Sequence, residues 1–363
     1  MVISSNNIPD SKGINSYLRD KSFAKLLEYY CGKELFEQVE NKFIELGEVV
    51  GSELEELALS ADKNPPKLKK RSRVGESSNN IEKHPDFIKI EKLAFEKFGL
   101  AAMSHRHGVF GMQQPLPPIV KYGLTFLFVQ SEFGLCCPLS MTDSLTRTLK
   151  KFGDKKLIDK FFDQLTSQDL DHLFQGAMFM TEQHAGSDVG SIDTLAEFED
   201  GNWFLTGDKW FCSNPDADLA MVLARHNKKI NGTKGLALFL LPKTLENGDP
   251  NNYEIIRLKD KLGGRSFASG EIRLNRAFAY IVGNPNEGFK QMTDMINMSR
   301  LSNGVRASGM MQRCFQESLF ISNTRHAFNK KLIDLPLMQK QLLKMLVITE
   351  ASRSIIFKAA DLL

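Results

Sequence analysis

Two short segments concentrate the side chains whose types suit ligand chemistry. The first runs Met178-Phe179-Met180-Thr181-Glu182-Gln183-His184-Ala185-Gly186-Ser187-Asp188-Val189. It reads as an apolar strand entering a small, hydroxyl-bearing loop. Gly186 lets backbone come close to a ligand, and Thr181 and Ser187 offer short donors and acceptors. Such a loop hydrogen-bonds the edge of a planar heterocycle, or a pyrophosphate, through amides and hydroxyls. The second runs Gly207-Asp208-Lys209-Trp210-Phe211-Cys212-Ser213-Asn214. There an aromatic can flank a flat ring while a nearby hydroxyl bonds its edge. Each segment also has a plainer reading, the first as an ordinary turn and the second, through Trp210 and Phe211, as core. His184 reads more readily as a surface polar side chain than as a catalyst, since sequence carries no hydrogen-bond geometry.

The elements around these segments fall into zones of different texture, expected as an α+β chain in three parts. Residues 1–173 form a leader and an α-helical domain. Phe23, Leu26, Leu27, Tyr30 and Leu35 recur at near-helical spacing, and Phe36, Val39, Phe43, Ile44 and Leu46 extend the pattern. Helical periodicity returns over Phe87 to Phe98, Pro117 to Phe133 and Ser144 to Leu165. Between the helices, Ala61 to Glu82 reads as a loop, with Pro65-Pro66 and a cluster of Lys67, Lys69, Lys70, Arg71 and Arg73. That cluster reads as a solvated loop, with phosphate contact as the other possibility.

Residues 174–284 switch to short β-rich runs: Trp203 to Thr206, Leu219 to Ala224, Leu236 to Leu241, Tyr253 to Leu258 and Glu271 to Leu274. Asp200-Gly201 and Asn231-Gly232 are hairpin-turn dipeptides. These runs predict a central antiparallel β-barrel or sandwich. Residues 285–363 return to helix, one run from Phe289 to about Asn323 and another after Pro336. Two amphipathic helices leave apolar stripes that a bundle normally covers with more helices. The third domain is therefore expected to be a partial C-terminal α-helical bundle, with the chain stopping short.

Composition excludes several classes. Net charge is +3, with 47 basic and 44 acidic side chains among 363 residues. Such near-cancellation gives no whole-protein field for nucleic acid or membrane. The five cysteines are Cys31, Cys136, Cys137, Cys212 and Cys314. They have no zinc or redox spacing, so no metal is expected and a reducing compartment is the simpler reading. Met1 to Asn7 lacks the basic and apolar regions of a secretion signal. The most apolar stretch, Tyr122 to Val129, is far shorter than a membrane span. A cytoplasmic protein is expected.

Taken together, the two chemical segments resemble the acyl-CoA dehydrogenase family. The match lies at Met180-Thr181-Glu182, three residues, then Gly186-Ser187-Asp188-Val189, and again at Gly207 and Lys209 through Asn214. Asp260-Lys261-Leu262-Gly263-Gly264-Arg265-Ser266 and Arg325-His326-Ala327-Phe328 extend it in the right order. Asn64-Pro65-Pro66, His84-Pro85, Lys209-Trp210-Phe211 and Leu258 to Gly263 are similar to the AidB-like branch.

The resemblance implies FAD as cofactor and acyl-CoA thioesters as substrates. By position Met178, Met180 and Thr181 would line the flavin ring, and Gly186 and Ser187 would sit near the pyrophosphate or the substrate's pantetheine arm. Phe211, Cys212 and Ser213 would form the second flavin segment. Arg325 would reach a neighbouring subunit's pyrophosphate in a homo-oligomer, a role suited to a forked guanidinium. Ala327 and Asn329 depart from that motif, where a hydroxyl residue and glycine are usual. The implied reaction removes hydrogen from the two carbons beside the thioester carbonyl, with a carboxylate as base and FAD as redox partner. Most members supply the base from beyond the end of this chain. A minority supply a Glu just before an Arg on the first bundle helix, where this chain has Ser299-Arg300. No catalytic residue is therefore nominated. Arg300 stands as a possible substrate contact, or as a helix-surface arginine. The alternative function is a flavin-containing, nucleic-acid-associated protein of the alkylation-damage response with little turnover.

Overall fold

The computed structural model describes residues 9–363, so the reading of Met1 to Asn7 lies outside it. The helices are α1 (Lys21–Cys31), α2 (Lys33–Val50), α3 (Glu53–Lys63), α4 (Pro85–Glu91), α5 (Pro118–Phe128), α6 (Cys136–Phe152), α7 (Lys155–Leu165), α8 (Gly288–Thr324) and α9 (Pro336–Asp361). The strands are β1 (Lys67–Arg71), β2 (Ser77–Glu82), β3 (Gly176–Phe179), β4 (Leu195–Glu199), β5 (Asn202–Ser213), β6 (Leu219–Arg225), β7 (Leu236–Pro242), β8 (Tyr253–Leu258), β9 (Ser269–Val282), and the short pair β10 (His326–Ala327) and β11 (Lys330–Lys331). The helix–barrel–helix order matches the expected fold class. The chain forms two compact units: residues through Glu56 with Pro117–Phe133 and Leu301–Leu363, and Leu57–Leu116 with Gly134–Arg300. The helices of the amino-terminal zone are thus shared out between the two units.

In the first unit, α1 begins where the Asp20 carboxylate accepts the Phe23 N–H at 3.0 Å, an N-cap that satisfies one of the free amides of the first turn. Helices α1, α5 and α9 meet through Phe23, Phe126 and Phe357, whose ring centroids lie 4.7 to 5.7 Å apart. Gly309 of α8 lies against α5. A Cβ there would come 2.3 Å from Val129 Cγ1 and 2.7 Å from the Phe126 carbonyl oxygen, so only glycine permits this approach.

The second unit is built on a closed barrel. Strand β4 turns into β5 through Asp200-Gly201, with φ of 47° and 81°, the pair of positive values a two-residue hairpin turn requires. β5 pairs antiparallel with β9, β9 with β7 and β8, and β7 with β6. β6 then closes the ring against β4. The expected antiparallel character holds around most of the barrel, but β3 and β4 run parallel to β6. Ala177, Phe179, Leu205, Cys212, Val222, Phe239 and Ile272 fill the interior. The other faces of β6 and β7 pack on α6, α7 and the first turns of α8 through Leu219, Met221, Leu238, Leu240, Phe161, Met292 and Met295. Burial on both faces explains why Leu219 to Ala224 reads as an unbroken apolar run.

Three local expectations are corrected. Ala61 to Glu82 is not a loop, because α3 continues to Lys63 and is followed by the β1–β2 hairpin. Its strands lack apolar alternation, since only Leu68 and Ile81 turn toward the barrel. The Asn79 amide replaces a backbone ladder, donating to the Tyr253 carbonyl at 2.7 Å and accepting the Ile255 N–H at 3.0 Å. The stretch Ser144 to Leu165 is two helices, because Gly153 ends α6 and the Asp154 carboxylate caps α7 by accepting the Leu157 N–H at 2.8 Å. Asn231-Gly232 is no two-residue turn. It sits in a longer connection gathered by the Arg225 guanidinium, which donates to the carbonyls of Gly190 at 2.6 Å and Ile230 at 2.9 Å.

Candidate functional site

Alternation along β3 decides which side chains reach the outer surface. Ala177 and Phe179 point into the barrel, while Met178 and the following Met180 lie partly exposed against the outer apolar cluster. The chain then turns through a loop closed by paired backbone bonds between Glu182 and Ala185, each 3.2 Å. The Glu182 carboxylate folds beneath that loop. It accepts the N–H groups of Asp193 at 2.7 Å and Thr194 at 3.1 Å, the Thr194 hydroxyl at 2.5 Å, and the Lys209 ammonium at 2.7 Å. Lys209 is fully buried and also donates to the Met180 carbonyl at 3.2 Å. Burial opposes ionisation of Glu182, but the charge and hydrogen bond of Lys209, with Thr194 and the Asp193 amide, hold its carboxyl below the usual value.

This pair joins the two segments that the sequence singled out. A further bond, from the Trp210 N–H to the Thr181 carbonyl at 2.7 Å, joins them again on the surface side. Gly207 makes the approach possible, because a Cβ there would come within 2.8 Å of the Thr194 Cα. Sequence reasoning assigned no role to Glu182, Lys209 or Gly207. The available signal was slight: an acid at Glu182 in the first segment and a base at Lys209 in the second, each among other polar residues.

Beyond Lys209 the register of β5 slips before Cys212, a β-bulge. It leaves Phe211 63% exposed with φ of 56°. A bulky residue in the left-handed region is strained, and such strain collects at ligand-binding sites. The ring is held in place: it meets Trp210 edge-on at 5.9 Å, and the Lys259 ammonium lies 3.8 Å from the Phe211 centroid and 4.0 Å from that of Trp210. Cys212 turns inward and is sealed in the barrel, where burial pushes its thiol pKa up. Its side chain therefore faces away from the outer surface, and only its backbone remains available to a ligand there. Ser213 is half-buried at the end of β5.

On the loop, Gly186 and Ser187 are exposed. A Cβ at Gly186 would meet only Thr181 Cγ2, at 3.9 Å, so the fold itself does not demand glycine there. Met178, Met180, Thr181, Gly186, Ser187, Phe211 and Ser213 all belong to the second unit. An open apolar strand face, a bare glycine and a strained exposed ring fit a flat, extended ligand with a polar tail. Arg300 is exposed and donates to Asn297 of its own helix at 3.0 Å. Ser299 beside it is half-buried and offers no carboxylate. Arg325 lies in the first unit, exposed, where α8 gives way to the β10–β11 hairpin. Phe328 and Asn329 form the tip of that hairpin with φ of 53° and 59°, and asparagine tolerates this conformation where glycine was expected.

A helical part, a closed barrel and a further helical part, with two barrel segments sewn into one exposed face, define an acyl-CoA dehydrogenase fold. Three family models match in succession: the Adaptive response protein AidB N-terminal domain over residues 6–172, the acyl-CoA dehydrogenase middle domain over 177–277, and the acyl-CoA dehydrogenase C-terminal domain over 286–363. The chain belongs to the acyl-CoA dehydrogenase family, in its AidB-like branch. It is 30% identical to acyl-CoA dehydrogenase family member 11 of Caenorhabditis elegans over 96% of this chain and 57% of that protein. It is 31% identical to the putative acyl-CoA dehydrogenase AidB of Escherichia coli over 87% of this chain and 58% of that protein. The crystal structure of C. elegans ACDH-11 in complex with C11-CoA superposes with a TM-score of 0.89 at 28% identity, covering 99% of this chain and 61% of that one. The chain thus spans less than two thirds of the length of these relatives. The cofactor of this family is FAD.

Proposed function

We propose that the barrel face holds the flavin of FAD and that the chain belongs to an oxidoreductase acting on acyl-CoA thioesters, removing hydrogen from the two carbons beside the carbonyl. The observation that carries this reading is the pairing of Glu182 with Lys209 beneath the surface. It locks the Met180 to Val189 loop to the Phe211 bulge and leaves their outer sides free. In that reading Met178 and Met180 supply an apolar platform, and Thr181 and Ser213 supply hydroxyls for a heterocycle edge. Gly186 gives close backbone approach and Ser187 a donor for a phosphate or amide. Phe211 excludes water from one side of the ring. FAD, when bound, supplies the two-electron acceptor. This chain's residues orient and desolvate, and none of them is nominated as the base. Arg300 remains a candidate substrate contact, and Arg325 a candidate contact to a second subunit of a homo-oligomer.

The companion reading, nucleic-acid association, is supported by the AidB N-terminal match over residues 6–172. The β1 cluster speaks against it, because Lys69 pairs with Glu82 at 3.0 Å and Lys70 with Glu254 at 3.3 Å. Among the described residues no helix is long and apolar enough to cross a membrane. The test is the visible absorption spectrum of the purified chain after incubation with FAD and gel filtration. Flavin that stays with the protein, and bleaches with an acyl-CoA, supports the reading. Protein that emerges colourless from excess FAD overturns it for this chain. Retention on duplex DNA that falls with salt would favour the companion reading.

A further inference from the structure

A cavity of about 390 Å³ lies in the second unit where β6 begins and β7 ends. Leu219 pairs with Gly176 and Pro242 there, whereas the Met180 loop leaves the other end of β3, so the cavity stands apart from the proposed flavin face. Its size is that of a small-molecule site, and Phe161, Phe174, Leu219, Pro242 and Tyr280 give it apolar walls. Polar groups converge at one point of those walls. The Lys160 ammonium lies 5.2 Å from the Phe161 centroid and 5.0 Å from that of Tyr280, and donates to the Tyr280 hydroxyl at 2.8 Å. The Tyr280 O–H in turn donates to Oε1 of Glu246 at 3.1 Å, and the Lys160 ammonium donates to the same oxygen. Glu246 comes from the connection between β7 and β8, on a turn closed by the Leu245 N–H to the Asp249 carbonyl at 2.8 Å. Its side chain is 71% exposed. A carboxylate oxygen thus fills a two-donor position at an apolar cavity while the rest of its side chain stays in water.

We propose that this cavity binds a small monocarboxylic acid, whose carboxylate replaces that of Glu246 on Lys160 and Tyr280 while its apolar body lies against Phe161, Phe174 and Leu219. An ion pair with one exposed member stabilises little, so Glu246 returns to water at small cost. The incoming acid makes the same two hydrogen bonds and adds the burial of apolar surface, which the exposed Glu246 side chain does not supply. A cationic ligand does not suit the site, because the Lys160 ammonium already lies over both rings and would repel it. The other charged groups lining the cavity are Asp218 and Lys243. The Asp218 carboxylate accepts the Gln175 N–H at 2.8 Å and has the Lys243 charge near it, so these two largely offset each other. An acyl-CoA thioester has no free carboxylate on its acyl carbon, so the occupant is the free acid and the inference stands independently of the flavin reading.

The experiment titrates the intact chain with phenylacetate and, in parallel, with the uncharged 2-phenylethanol, read by ligand-observed NMR. Phenylacetate is expected to bind saturably with a Kd on the order of 1 mM, and the alcohol at least about tenfold more weakly, since it lacks the charge that Lys160 pairs with. Glu246→Gln removes the competing carboxylate from an exposed turn and should tighten phenylacetate binding roughly threefold to fivefold. Lys160→Met should weaken it by about tenfold or more, and Tyr280→Phe by roughly fivefold. The gain in Glu246→Gln separates a binding role from a structural one, because loss of a merely structural ion pair would leave affinity unchanged or lower it. Absence of binding in both wild type and Glu246→Gln overturns the proposal. So does equal affinity for the alcohol, which would make the cavity an apolar recess with no carboxylate position, or an affinity that Glu246→Gln fails to raise.

Discussion

A buried ion pair stands in each unit of the molecule, Arg353 with Asp20 and Lys209 with Glu182, and the two do different work. In the first unit Arg353, 1% exposed, donates to the Asp20 carboxylate at 2.8 Å, while Asp20 also caps α1 and accepts from Gln312 at 2.6 Å. The same guanidinium donates to the Ser22 hydroxyl at 2.7 Å and to Glu350, and lies near the rings of Phe23 and Phe126. Every partner sits on a helix or at its start, so the cluster fixes how α1, α8 and α9 pack. In the second unit Glu182 and Lys209 use the same device to hold two pieces of irregular backbone, a loop and a bulge. Helices have their backbone bonds satisfied internally and need the pair only for orientation. The loop and bulge have few such bonds, and the pair stands in for them.

The sharpest way to break this comparison is to remove the cation from each pair. Lys209→Met leaves a buried carboxylate facing only Thr194 and the Asp193 amide, and is expected to cost about 3–5 kcal/mol. It should also abolish flavin retention, because the loop and the bulge separate. Arg353→Met is expected to cost about 3 kcal/mol, since Asp20 keeps its α1 cap and Gln312, and flavin retention should survive in the folded fraction. Thermal melts with FAD titrations read both effects. Equal loss of flavin affinity in the two variants would sink the distinction.

Acid tests the second pair by itself. The Glu182 carboxyl is held below its usual pKa in the folded chain. Its contribution is therefore complete above the unfolded value near pH 4.3 and is lost as pH falls through the folded value. Wild type should be more stable than Glu182→Gln at pH 7, and the gap should close only below about pH 4. A gap that persists unchanged at pH 3 would mean that the charge of Glu182 is not what holds the loop.

The next effect is smaller and of opposite sign. Phe211→Gly removes a side chain from a backbone at φ of 56°, where an L-residue pays about 1 kcal/mol. Stability is expected to stay level or rise by up to about 1 kcal/mol, while flavin affinity falls. A strained residue that can be relieved without loss of fold but with loss of binding marks a functional position. Lower stability together with unchanged flavin affinity would make Phe211 a packing residue.

What the sequence disclosed follows the physics of repetition. Strands β6 and β7 announce themselves because burial on both faces leaves unbroken apolar runs, β5, β8, β9 and helices α8 and α9 because buried positions recur along them, and Asp200-Gly201 because such residues accept two positive φ values. The β1–β2 hairpin was invisible because a side-chain amide, Asn79, supplies the bonds that apolar alternation normally advertises. β4 was missed although it runs directly into the recognised turn. At the site, family motifs pointed to the segments but not to the direction each side chain takes. The bulge between Lys209 and Cys212 reverses the expected alternation, turning Phe211 outward and Cys212 into the core. Motif matching also could not separate residues that touch a ligand from Glu182, Lys209 and Gly207, which hold those residues in place.

Two motif glycines make that last separation measurable. A Cβ at Gly207 collides with Thr194 backbone at 2.8 Å, so glycine there answers to the fold. At Gly186 a Cβ finds only a methyl at 3.9 Å, an ordinary contact, and the backbone there is not left-handed. Gly186→Ala should therefore change stability by no more than about 0.5 kcal/mol, as a surface substitution does. If the flavin's phosphates or the substrate arm lie against that backbone, the added methyl must still weaken their binding, and FAD titration should reveal a raised Kd in a protein that melts like the wild type. Unchanged affinity would place the ligand elsewhere on the barrel face, with Phe211 and its neighbours left to carry it.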